Sequence, residues 1–90
     1  MTEGDLGSDP FTIVASALHC HREALNLKSA MHRTHGWDSF GHLEVVLALE
    51  RAFEISISND EILQLTDMTS IVTFYNHQVQ AKRPGNHDVE

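Results

Sequence analysis

Gly36-Trp37-Asp38-Ser39-Phe40-Gly41-His42-Leu43-Glu44-Val45-Val46-Leu47-Ala48-Leu49-Glu50-Arg51-Ala52-Phe53 is the stretch on which the reading of this chain turns. Asp38 is a good helix N-cap, because a short side-chain oxygen can accept from the free N–H groups of a first turn. From Ser39 to Phe53 the apolar residues recur with helical spacing. Val46, Leu49 and Phe53 form an i, i+3, i+7 stripe that can face a core, supported by Val45 and Ala52. Phe40, Leu43 and Leu47 form a second line with the same spacing on another side, beside Glu44 and Glu50. A helix with two apolar lines either packs on two sides or offers one of them to a partner.

Outward from this helix, the rest of the chain also reads as helical. Asp9-Pro10 marks a start, with Asp as N-cap and Pro at the first helical position. Val14, Leu18, His21 and Leu25 then fall near one face, so the spacing predicts a first helix from about Pro10 to Leu25. Residues 26–38 lack sustained periodicity and read as a loop closed by Gly36. Glu54 to Ile57 alternates like a strand but has no strand to pair with, so it also reads as loop. Ser58 and Glu61 match the capping box that opens a short helix, about Asn59 to Leu65. Asp67 is the N-cap of a last helix reaching about Ala81, with Met68, Ile71, Val72, Tyr75 and Val79 on its apolar stripe. The expected fold is all-α, a four-helix bundle of three main helices and one short one. Residues 1–9 read as a flexible leader, 10–81 as the folded domain and 82–90 as a tail.

Composition limits the function. Ninety residues make a single domain with a modest core. Six Lys and Arg stand against 13 Asp and Glu, a net charge of −7, which argues against nucleic acid or an anionic membrane as partner. The longest apolar run, Val45 to Leu49, is too short to cross a bilayer. Cys20 is a single cysteine and forms no internal disulfide, and the first ten residues have no apolar signal core. A cytoplasmic monomer that binds or presents something is expected.

Seven histidines (His19, His21, His32, His35, His42, His77 and His87) raise the question of metal. A zinc site needs about four ligands converging on one point. His19 and His21, two apart on a helix, point to different sides, and no C-x-x-C or H-E-x-x-H occurs. Solvated or partly packed histidines are expected instead, and no metal. Gly36-Trp37-Asp38-Ser39 is not a nucleophile elbow, so no catalysis is expected from the chain itself.

Asp38-Ser39 remains the informative pair. Ser39 can be read as an ordinary polar residue of the first turn. A hydroxyl there is also well placed to carry a phosphate, because free N–H groups and the helix dipole stabilise an anion.

The stretch from Gly36 to Glu50, with Phe53, Ile57, Asp60-Glu61-Ile62, Leu65-Thr66 and the final stripe, resembles acyl carrier proteins over roughly residues 10–81. That family's mark is Asp-Ser-Leu opening its second helix. The resemblance implies that Ser39 carries a covalent 4′-phosphopantetheine arm derived from coenzyme A, with Asp38 as its motif neighbour. The arm's terminal thiol holds an acyl group as a thioester, and the carrier performs no bond chemistry itself. It further implies a partner face made by Phe40, Leu43 and Leu47 with Glu44, Glu50 and Arg51. The partners would be a phosphopantetheinyl transferase and acyl-loading, acyl-transfer or condensing enzymes of fatty-acid, polyketide or related biosynthesis. Residues 38–67 carry a net charge of −6, whereas residues 10–37 carry +2, consistent with steering toward basic partner surfaces. Three departures bear on the partner set: Phe40 replaces the usual leucine, Arg51 stands where housekeeping carriers have an acid, and the first loop is short and basic (Lys28, Arg33). They suggest a specialised carrier. The competing class is a helical interaction domain without a prosthetic group.

Overall fold

The computed structural model describes residues 9–82. The expected leader and tail lie, apart from Asp9 and Lys82, outside the described residues. Among the described residues the fold is a small all-helical bundle with four α-helices: α1 (Pro10–Leu18), α2 (Ser39–Phe53), α3 (Asn59–Gln64) and α4 (Met68–Lys82). A short 3₁₀ turn, Arg22–Ala24, follows α1. α1 packs against both α2 and α4.

Three helix starts are made as the sequence specifies. The Asp9 carboxylate accepts from Thr12 N at 2.7 Å, and that of Asp38 accepts from Gly41 N at 2.8 Å. Asp67 does the same for Ser70 N at 2.8 Å. The capping box is reciprocal: Ser58 Oγ accepts from Glu61 N, and Glu61 Oε1 accepts from Ser58 N.

The first helix is shorter than its spacing predicts. It ends at Leu18 because His19 adopts the left-handed conformation, with φ 58°. His19 N–H then bonds to Ser16 O and Cys20 N–H to Ala15 O, which closes the helix as a Schellman turn. His19 and His21 are therefore not on a common helix; His21 is extended. Leu25 reaches the core from the segment after the 3₁₀ turn, while His21 is exposed. Nothing in the composition announces this stop, because the residue in the left-handed position is not glycine. Glu54 ends α2 in the same way, with φ 57° and Ile55 N–H on Glu50 O.

Twenty residues separate α1 from α2, a length that is uncommon for an unstructured connection. Backbone bonds hold this one in place. Met31 N–H donates to Thr66 O and Met68 N–H to Ser29 O, so an isolated antiparallel bridge pairs Ala30 with Asp67. The Thr69 hydroxyl donates to Leu27 O at 3.0 Å. At the other side of the loop, Arg22 lies over the Phe11 ring and its guanidinium bonds to the Asp9 carboxylate.

The Arg22 hydrogen bond lowers the Asp9 pKa from 3.8 to about 2. A depressed carboxyl stabilises the fold above its unfolded pKa and loses that contribution as the pH falls through the folded value. The pair's contribution is thus complete above about pH 4 and lost toward about pH 2. Both side chains are about half exposed, so solvent screening keeps the effect small. Arg22→Ala is expected to flatten the stability change across that acid window, measured by urea titration at each pH.

Val14, Trp37, Val45, Leu49, Met68 and Ile71 are the largest fully buried side chains. Phe53 extends this core toward α4 through edge contacts with Phe74 and Tyr75, at 6.4 and 5.5 Å between ring centroids. Gly41 lets α2 approach the loop before it. A Cβ there would overlap the Gly36 carbonyl oxygen and lie 3.0 Å from Leu18 Cδ2. Gly36 itself has φ 86°, which glycine adopts without strain. Alanine at position 41 would gain roughly 1 kcal/mol of helix propensity. Overpacking costs about 1–3 kcal/mol, and here the obstruction is backbone. Gly41→Ala is therefore expected to be net destabilising in chemical denaturation, against the propensity scale.

Candidate functional site

Ser39 is the first residue of α2 and is exposed. Asp38 before it is extended, with its carboxylate committed to the Gly41 N–H and its carbonyl to the His42 N–H. The N–H groups at the very start of a helix have no intrahelical acceptor. A phosphate ester on the Ser39 oxygen would sit beside those donors and at the positive end of a 15-residue helix. The exposed hydroxyl, with exposed Phe40 next to it, leaves room for a bulky substituent. The residues present thus fit a phosphopantetheine group.

The two apolar lines of α2 separate cleanly. Val45, Val46, Leu49 and Phe53 are buried. Phe40 is 71% exposed, Leu43 54% and Leu47 43%. Among the described residues, this second line is left exposed rather than packed into the bundle. Arg51 is exposed and Glu44 is half-buried at its edge. Glu50 differs from the others, because its Oε2 accepts from Ile57 N at 2.8 Å and the residue is half-buried. Its carboxylate ties the loop after α2 to the helix, so a structural role accompanies any charge it shows to a partner.

The structure adds residues that the sequence reading did not single out. His42 is only 4% exposed and Trp37 is wholly buried. The Trp37 indole N–H donates to His42 Nδ1 at 3.1 Å, and the rings stack with centroids 6.2 Å apart. His42 Nε2 lies 2.8 Å from the Ile62 carbonyl oxygen. The general expectation of solvated or partly packed histidines fails at this one. A signal existed: His42, Val45, Val46, Leu49 and Phe53 follow i, i+3, i+4, i+7 and i+11, which extends the core stripe to its first turn. Leu63 on α3 is 74% exposed, a further apolar side chain outside the line on α2.

Among the described residues, no group of three or more His, Cys, Asp or Glu is placed to hold a metal ion. No helix among them is long and apolar enough to cross a membrane. Compared with models of known protein families, with curated proteins and with solved structures, the chain matches none of them.

Proposed function

We propose that this chain is an acyl carrier protein with Ser39 as the attachment residue. One observation carries the reading: an exposed serine opens a long helix that buries one apolar stripe and exposes another. A core helix has no use for the second stripe, and a protein that must visit several enzymes does. Phosphopantetheine esterified to Ser39 would supply the thiol that holds an acyl group as a thioester. The chain's own residues do the rest. Asp38 holds the first turn, Ser39 fixes the root of the arm on a rigid helix end, and Phe40, Leu43 and Leu47 provide apolar contact. Tethering raises the effective concentration of cargo in any docked enzyme. The acidic segment steers basic partner surfaces, with effects chiefly on association rate. Phe40 and Arg51, the departures from the housekeeping pattern, are the residues through which a dedicated partner set would be selected.

The test is the intact mass after incubation with coenzyme A, magnesium and a broad-specificity phosphopantetheinyl transferase. A gain of about 340 Da, the mass of the phosphopantetheine group, is expected. An unchanged mass would favour an interaction domain that uses the same face without a prosthetic group.

A further inference from the structure

α3 is anchored at its C-terminal end, where Ile62 packs against the core and the C-cap residue Leu65 is buried. The helix has six residues and none of them is fully buried. Helices of this length do not persist in water unaided. Its C-terminal carbonyls lack intrahelical donors, and that of Ile62 is one of them. His42 supplies the missing donor. The indole N–H of Trp37 can only donate, so His42 Nδ1 must accept and Nε2 must carry the proton. The bonds therefore run in one direction, from Trp37 through His42 to the Ile62 carbonyl. The chain begins two residues before Ser39, crosses the first turn of α2 and ends on α3. Leu43 follows His42 and Leu63 follows Ile62, and both leucines are exposed.

The geometry points to Trp37 and His42 as positioning residues of a partner face that spans two helices. They hold α3 against α2, so that Leu63 stands with Phe40, Leu43 and Leu47 as one apolar surface. The occupant is an enzyme patch that is apolar at its centre and basic at its rim, complementary to the net charge of −6 on residues 38–67. This rests on the carrier reading for the identity of the occupant, whereas the hold on α3 does not.

Two substitutions split the function of the imidazole. His42→Gln keeps a donor near the Nε2 position and loses the acceptor for Trp37. His42→Asn keeps an acceptor near Nδ1 and loses the donor for Ile62. Amide hydrogen exchange over residues 59–65 reads the hold on α3, with α1 amides as the reference for global stability. One lost hydrogen bond to a buried group corresponds to about a tenfold change. His42→Asn is expected to speed α3 exchange by about that factor relative to α1, and His42→Gln, which keeps the donor to Ile62 but leaves the Trp37 indole unpaired, to speed it less. Transfer kinetics with the broad-specificity transferase and coenzyme A read the face. His42→Asn and Leu63→Ser are expected to raise KM several-fold with kcat kept, and His42→Gln to raise it less than His42→Asn. Equal α3 exchange in the Asn and Gln variants, or acceleration shared equally with α1, would overturn the positioning role. An unchanged KM for Leu63→Ser would overturn the two-helix face. If wild type takes no arm, the carrier reading and the assigned occupant fall together, and the exchange data still decide whether His42 holds α3.

Discussion

Ser39→Ala is expected to abolish the mass gain completely while leaving the helical bundle intact. The proposed attachment needs a hydroxyl nucleophile at this position, and alanine has none. The fold does not need it, because the cap of α2 is made by Asp38 to Gly41 N. Ser39 itself is exposed. A surface substitution of this kind should shift stability within about 0.5 kcal/mol. Circular dichroism and chemical denaturation check the fold, and intact mass checks the modification. A Ser39→Ala protein that still gains the arm would place the attachment elsewhere. The complementary variant, Asp38→Ala, should keep the hydroxyl and weaken the helix start by about 1 kcal/mol.

The second large effect separates the two faces of α2. Leu49→Ala should cost about 2–5 kcal/mol, since it empties a fully buried site. Leu47→Ala, two residues away, should cost less than about 1 kcal/mol, because its side chain is 43% exposed. The transfer rate should respond in the opposite order. At a temperature where both variants are folded, Leu47→Ala should impair transfer and Leu49→Ala should retain it. Equal destabilisation by the two substitutions would mean that the helix is rotated from the position described.

Much of this fold was legible from local rules. The limits of α2, the capping box of α3 and the Asp67 cap of α4 each rest on residues within three or four positions of one another. Such signals survive in the sequence because the atoms that satisfy each other are neighbours in the chain. The end of α1 was not legible, because a left-handed His19 looks locally like a residue that could continue the helix. The same holds for Glu50, whose bond to Ile57 N depends on how the loop after Glu54 folds back. The link from Trp37 to α3 joins residues 20 apart at His42 and Ile62, and no periodicity encodes that distance. Gly41 belongs to the same class. Inside a helix it reads as a weak point, and only the approach of Gly36 and Leu18 shows why a side chain is excluded. Near the candidate site, the place of Ser39 at the start of α2, the exposed line and the core register of His42 were readable from pattern, whereas the bonds from His42 to Trp37 and Ile62 were not.

Trp37 is the single tryptophan of the chain, and it sits in a fully dry environment against an imidazole. Its fluorescence is therefore an intrinsic optical gauge of the region beneath Ser39. Indole emission moves to longer wavelength when water reaches the ring, and the signal here has no second emitter of its kind to dilute it. Contact with His42 makes the intensity sensitive to how the two rings meet, so a loosened α3 and a globally unfolded chain should give different spectra. Under the proposed carrier reading, loading of cargo, docking of an enzyme and release can then be followed in real time on unlabelled protein, with the reporter two residues from the proposed attachment residue.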